Sequence, residues 1–242
     1  MIGLAEYLLD ENMAEFAKSC IQQVDNKDHF KYLGCLARCK IQDGNPETAI
    51  EDLEAMVKMV PTWLQGYIEI GHAYFKMNQQ KSNEAAIKSY MKAIRIANLT
   101  RQEITDQLVF QRAGDLYIKE GKWEDARVMF LMCAEDYKTS FSHFNLGVAA
   151  YNLGEYEEAE RVLSLTNYMD PTHAPTWAYL CLTLLKKPDP PLFAAYQSMN
   201  ESIKLGLSDS GVLHEIALRW VELSSFRAAR EAFEQTITIM GT

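Results

Sequence analysis

Three glycines set the terms for this chain. Gly71, Gly114 and Gly147 each stand one place after an aliphatic residue or Ala, and each precedes a Tyr by three or four positions. Twelve residues beyond Gly114 and Gly147 the pattern resumes, as Ala126-x3-Phe130-x2-Cys133 and Ala159-x3-Leu163-x2-Thr166, and Pro171 closes the second stretch. Recurrence at this period means one supersecondary unit used repeatedly, each copy burying its apolar face against its neighbours.

The spacing has a mechanical reason. Small residues at the eighth and twentieth positions of a unit let two antiparallel helices approach closely. Larger apolar residues at the fourth, seventh, eleventh and twenty-fourth fill the space between neighbours. Counting from Phe30 gives Leu33, Leu36, Ala37, Ala49, Leu53, Met56 and Pro61 at the diagnostic places. The unit from Leu64 gives Tyr67, Ile70, Gly71 and Tyr74, then resumes at Ala86, Tyr90 and Ala93 after an insertion read as a polar turn, Asn78 to Asn83. Units from Gln107 and Ser140 carry Gly121 and Gly154 at position fifteen, where the first helix must stop. The unit from Ala174 supplies Trp177, Leu180 and Cys181, then a stiff turn, Lys187-Pro188-Asp189-Pro190-Pro191, before Ala195, Met199 and Ser202. The last, from Ser210, gives Leu213, Ile216, Ala217, Trp220, Ala229, Phe233 and Thr236. Counting back, Leu4, Ala5, Leu8, Ala17, Ile21 and Val24 fall into register as a shortened first unit.

This is the pattern of the tetratricopeptide repeat (TPR). The expected fold is therefore all-α, a right-handed superhelical solenoid of antiparallel hairpins with about seven repeats and fourteen helices. A truncated unit is expected over residues 1–29, full units over 30–97, an irregular linker over 98–106, units over 107–206 and a final unit over 207–242. One continuous solenoid is expected, and apolar Phe233, Ile237 and Met240 on the final helix read as an uncapped end. The array is therefore expected to be an excerpt of a longer chain that could self-associate through its ends.

Composition narrows the function classes. A net charge of −9 with 24 basic and 33 acidic residues, and no Lys/Arg run, argues against nucleic acid or anionic lipid as a partner. No apolar stretch reaches a membrane span, and Met1 to Asp10 lacks the features of a signal peptide, so no membrane is expected and the compartment reads as cytoplasmic. The five cysteines, Cys20, Cys35, Cys39, Cys133 and Cys181, read as reduced core thiols.

Catalytic signatures are missing from the pattern, so no enzyme, cofactor or small-molecule substrate is expected. The pair Gly114 to Gly121-Lys122 has the wrong spacing for a phosphate loop, and Trp123 stands where a hydroxyl is needed. Cys35-x3-Cys39 with His29 a turn away would put two thiols and an imidazole together, but a second close ligand pair is missing, and two small packing residues are the plainer reading. Glu155, Glu157, Glu158 and Glu160 read as solvated carboxylates at a helix start. Trp63, Trp123, Trp177 and Trp220 sit at or near repeat junctions and read as packing.

In such arrays the first helix of each unit lines the concave surface. The exposed positions would be Ile68, Glu69, His72 and Phe75, then Gln111, Arg112, Asp115 and Ile118, then Phe141, Phe144, Asn145, Val148 and Tyr151, then Ala178, Tyr179, Leu182 and Leu185. The candidate protein-binding groove is Phe75, Arg112, Phe141, Phe144, Asn145, Val148, Tyr151, Tyr179 and Leu182, because apolar and aromatic groups at open positions suit a docked peptide or helix. Self-packing of these same residues against adjacent helices is the competing reading. A carboxylate clamp of the co-chaperone kind needs Lys and Asn around Asn145, where Gln111, Asp115, Pro175 and Tyr179 stand instead.

Particular stretches go further than the generic repeat: Leu4-Ala5-Glu6-Tyr7-Leu8-Leu9, Gly114-Asp115-Leu116-Tyr117-Ile118-Lys119-Glu120-Gly121-Lys122-Trp123-Glu124-Asp125-Ala126-Arg127, Thr176-Trp177-Ala178-Tyr179-Leu180-Cys181-Leu182 and Ser202-Ile203-Lys204-Leu205. With the displaced linker before Gln107, they resemble the C-terminal TPR region of the cilia- and flagella-associated protein 70 family. The resemblance implies an axonemal scaffold that helps assemble or regulate the motility machinery through contacts with other proteins. It brings no binding residues, and the proline-rich turn at Lys187 to Pro191 departs from the Gly-containing turn expected there. A soluble cytoplasmic TPR adaptor or co-chaperone module is the alternative.

Overall fold

A computed structural model describes residues 2–11, 13–23 and 30–241. Among these residues every regular element is helical. The chain divides into two compact units, residues 1–116 and 117–242.

The first unit holds α1 (Ile2–Asp10), α2 (Ala14–Gln22), α3 (Phe30–Gln42), α4 (Pro46–Met59), α5 (Leu64–Met77), α6 (Gln80–Thr100) and most of α7 (Leu108–Lys119). α1 with α2, α3 with α4 and α5 with α6 pair as antiparallel hairpins, and α3 also packs on α1 and α5 on α3, so the first helices of these three repeats stack in order. The fit depends on small residues where the repeat requires them. A Cβ on Gly71 would lie 2.4 Å from Cε1 of Tyr90, which is completely buried. Val24 of the expected first unit, and the His29 considered beside Cys35 and Cys39, lie outside the described residues.

Two expectations for this unit are corrected. The insertion after Asn78 is not a turn: α6 starts at Gln80, so the additional residues lengthen the helix at its beginning, and only Asn78 and Gln79 separate it from α5. Ser82 in that first turn is buried with its hydroxyl against the Met77 sulfur, which anchors the extension. The linker begins later than residue 98, because α6 continues to Thr100. No Gly or Pro interrupts it, and the Thr100 hydroxyl donates to the Ile96 carbonyl at 2.8 Å. The irregular stretch is 101–107, opened by Arg101 in the left-handed region.

The second unit contains the end of α7, then α8 (Trp123–Tyr137), α9 (Ser140–Asn152), α10 (Tyr156–Met169), α11 (Ala174–Leu185), α12 (Leu192–Lys204), α13 (Ser210–Glu222) and α14 (Phe226–Met240). Its main core runs through α9 to α14, with Leu163, Leu182, Met199, Leu213 and Ile216 among the side chains sealed inside. A Cβ on Gly147 would sit 2.7 Å from Leu163 Cγ, the same close crossing as in the first unit. Thr139 caps α9 through the Ser142 amide, and Asp209 caps α13 through the amides of Gly211 and Val212.

Position fifteen is where each first helix stops, and it needs a left-handed backbone. Gly121 and Gly154 take it at φ 70° and 80° without strain; Asn78 and Ser224 take it at 49° and 57° although they are not glycine. Pro188 occupies that place in the unit from Ala174 and cannot adopt positive φ, so a turn of residues 186–191 replaces the tight stop.

Cys35, Cys39, Cys133 and Cys181 are buried free thiols, and Cys20 is half-buried. Burial pushes the Cys181 thiol up in pKa and, with help from Asp43, the Cys39 thiol too, which keeps both as unreactive packing groups. Among the described residues no cluster of three or more His, Cys, Asp or Glu could hold a metal ion, and no helix is long and apolar enough to cross a membrane.

Candidate functional site

The expected groove residues fall into two groups, one in each compact unit. In the first unit, Phe75 on α5 is half-buried under the Arg112 guanidinium of α7, whose Cζ lies 5.1 Å from the ring centroid. A cation over an aromatic face holds both groups in place. One turn before Phe75, His72 joins two elements: Nδ1 is 2.7 Å from the Tyr90 hydroxyl of α6, and Nε2 is 2.8 Å from Asp106 Oδ2. Asp106 also accepts from the Leu108 amide at 2.9 Å, which starts α7. Burial alone would raise the Asp106 pKa, but the hydrogen bond and charge of His72, the Leu108 amide and Arg112 outweigh it and hold the carboxyl below its usual range. Burial pushes the Tyr90 phenol up. The other expected groove residues of α5 do not face solvent. Ile68 is buried, and so is Glu69, which accepts from Gln65 Nε2 at 2.7 Å and pairs with Arg38 Nε at 3.3 Å.

In the second unit the first helices carry an aromatic ladder. Phe144 of α9 meets His173 edge-on at 4.8 Å and Tyr179 of α11 at 5.7 Å; Tyr179 in turn meets Tyr151 at 5.8 Å. Tyr156 stands 5.9 Å from Tyr151. These centroid distances and steep interplanar angles are those that aromatic quadrupoles favour. Exposure divides the ladder. Val148, Tyr151 and Leu182 are buried, with α11 and α13 stacked over their helices, whereas Phe144, Asn145 and Tyr179 are half-buried and Phe141 is 45% exposed. The Tyr151 hydroxyl donates to Glu215 Oε1 of α13 at 2.7 Å, and burial, followed by this carboxylate, raises its pKa. Burial does the same to Tyr179, with Asp209 and Glu215 adding to it. Asn145 donates an amide N–H to the Phe141 carbonyl of its own helix at 3.0 Å.

The arrangement offers an apolar and aromatic edge, Phe141, Phe144 and Tyr179, over a floor of Val148, Tyr151 and Leu182 that the fold itself closes. Sequence spacing missed His173, Tyr156 and Glu215 as members of this assembly. Tyr156 opens α10 and His173 immediately precedes α11, both outside the positions by which a groove is recognised, and Glu215 is 64 residues from its partner. The acidic run is tied to basic neighbours: Glu155 to Arg127 at 2.6 Å, Glu158 to Arg161 and Glu160 to Lys187. Trp177 donates from Nε1 to the Pro171 carbonyl at 2.9 Å, a packing role.

Comparison with known proteins gives a consistent answer. The family described as "Cilia and flagella-associated protein 70 C-terminal domain" matches residues 71–241. The human protein named "Cilia- and flagella-associated protein 70" is 30% identical over 146 residues, 60% of this chain and 12% of that protein. Its counterpart from Macaca fascicularis is 34% identical over 108 residues, 45% of this chain and 10% of that protein. The matched stretch is thus a small part of either relative's length. Among solved structures, a thermophilic TPR protein of Thermus thermophilus aligns with a TM-score of 0.53 at 18% identity, covering 76% of this chain and 97% of its own. That likeness concerns the fold, which is that of an all-α tetratricopeptide array.

Proposed function

This chain belongs to the cilia- and flagella-associated protein 70 C-terminal domain family, and from that premise we propose that it is a non-catalytic protein–protein interaction scaffold of the cilium or flagellum. Its finer role is to help assemble or regulate the axonemal motility machinery, as part of the cytoskeleton and in contact with other axonemal proteins. The observation that carries the reading is the edge of Phe141, Phe144 and Tyr179, in which Phe144 packs edge-on against His173 and Tyr179 while Phe141 stands 45% exposed. A preorganised aromatic surface binds a partner at little entropic cost, because its rotamers are fixed before the partner arrives. The pair Phe75 and Arg112 offers a second contact of the same kind in the first unit.

The test is a crosslinking pull-down from detergent-extracted cilia with this chain as bait, repeated with Phe141→Ala/Tyr179→Ala after circular dichroism shows unchanged helicity. Axonemal proteins recovered by the native chain and lost by the variant support the scaffold and its site. Axonemal recovery that the variant matches moves the site elsewhere. Recovery of cytosolic chaperones alone overturns the ciliary reading in favour of a cytoplasmic adaptor.

A further inference from the structure

The second unit has a cleft away from the aromatic edge, of about 580 Å³, within the roughly 300 to 1,000 Å³ typical of ligand sites. It opens between the start of α12 and the turn from α13 into α14. Its rim carries large apolar side chains that the fold leaves in water: Leu192, Phe193 at 74% exposed and Phe226 at 67%. Single exposed apolar residues are ordinary, but three around one concavity mark a contact surface. The stiff proline turn delivers Leu192 and Phe193 there, since α12 begins directly after Pro191.

Trp220 lines the cleft from within. It is 2% exposed, Tyr196 lies edge-on to it at 6.4 Å, and its indole Nε1 is buried with no acceptor among the described residues. A buried donor without an acceptor is destabilising, and a group that accepts from it relieves that cost. One cation and one helix start border the cleft. Arg227 projects from the first turn of α14, its side chain 90% exposed, and Ser225, which precedes that helix, gives it no side-chain cap, so the positive end of its dipole faces outward. Glu231 accepts from the Tyr196 hydroxyl at 2.7 Å and from Arg227 at 3.3 Å, so it offsets the Arg227 charge in the free chain, and an arriving carboxylate competes with it for that exposed guanidinium.

We propose that this cleft binds a short segment of another protein in which a bulky apolar side chain is followed by acidic residues. The apolar side chain inserts between Phe193 and Phe226, a backbone carbonyl accepts from Trp220 Nε1, and the carboxylates face Arg227 and the start of α14. The site is independent of the aromatic edge, so either can fail without the other.

The probe is the blocked peptide acetyl-Gly-Leu-Phe-Asp-Glu-Gly-amide, titrated into the full chain labelled with nitrogen-15. The Trp220 indole resonance is assigned by its loss in Trp220→Phe. The expected result is saturable movement of that resonance with a Kd below about 1 mM, as one short anchored peptide allows. Affinity falls at least about tenfold in Phe193→Ala/Phe226→Ala, whose replaced side chains lie in water, and about fivefold in Arg227→Glu or with the peptide's two acids replaced by lysine. No binding up to about 1 mM overturns the proposal, as does binding that the double variant leaves unchanged or that moves other indoles while Trp220 stays still.

Discussion

His72 Nε2 lies 2.8 Å from Asp106 Oδ2, so a histidine of α5 fastens the stretch that joins α6 to α7. Asp106 carries a folded-state pKa below its ordinary value. Burial opposes the shift, but the bonds to His72 and the Leu108 amide outweigh it. A depressed carboxylate contributes stability that is present above the unfolded pKa, near 4, and disappears as pH falls through the lower folded pKa. The urea midpoint should therefore decline as pH drops from about 5 to 3, and the decline should be shallower in Asp106→Asn. At pH 7 that variant should lose about 1.5 kcal/mol in chemical denaturation, the size of a hydrogen bond to a charged group.

Ser224 takes φ 57° at the place where Gly121 takes 70°. The left-handed region costs an L-residue roughly 1 to 2 kcal/mol, offset in part by the greater freedom glycine has in the unfolded chain. Ser224→Gly should raise stability by about 0.5 to 1 kcal/mol, and Gly121→Ala should lower it by about 1 kcal/mol, both read from urea unfolding at fixed pH.

Much of the hairpin architecture is legible in the residues alone, because its cause is local. Gly147 must be small since Leu163 crosses it, and both partners lie within a single repeat. The site is less legible for the opposite reason. Tyr151 and Leu182 occupy groove positions by count, yet whether a groove residue stays open depends on the next helices to stack, and here α11 and α13 cover them. The His72 contact with Asp106 ties a repeat to the linker that follows the next helix, so no single-repeat pattern contains it. The stretch after Asn78 reads as a turn because its polar residues suit a loop and an exposed helix start equally well.

Gly147→Ala should be among the costliest single-methyl additions. The new Cβ would lie 2.7 Å from both Cγ and Cδ2 of Leu163, which is fully buried. Overpacking of this kind costs about 1 to 3 kcal/mol, and Gly147→Ala/Leu163→Ala should recover part of the loss relative to the sum of the two single changes. A double-mutant cycle by urea unfolding measures the coupling; strict additivity would mean that the two residues do not meet.

Asp209 accepts from the amides of Gly211 and Val212 at 2.9 and 3.1 Å and so begins α13. Asp209→Ala should cost about 1 kcal/mol and Asp209→Ser or Asp209→Asn much less, since the function is to accept a hydrogen bond at a helix start. Hydrogen exchange at the first turn of α13 should quicken in the alanine variant before global stability is exhausted.

Tyr151 and Tyr179 stand 5.8 Å apart in the same ladder, yet hydroxyl removal should separate them. Tyr151 donates to Glu215 at 2.7 Å, and both partners lie where α13 closes over α9 and α11. Tyr151→Phe leaves a carboxylate short of a donor in a poorly solvated place, which should cost about 1.5 to 2 kcal/mol in unfolding and leave partner recovery from cilia unchanged in the folded fraction. For Tyr179 the ring edge is what a partner would touch. Tyr179→Phe should hold stability within about 0.5 kcal/mol, while Tyr179→Ala should abolish partner recovery without unfolding the chain. Equal effects of the two Phe variants on stability would mean that the Glu215 bond contributes nothing, and retention of the partner by Tyr179→Ala would remove this ring from the interface.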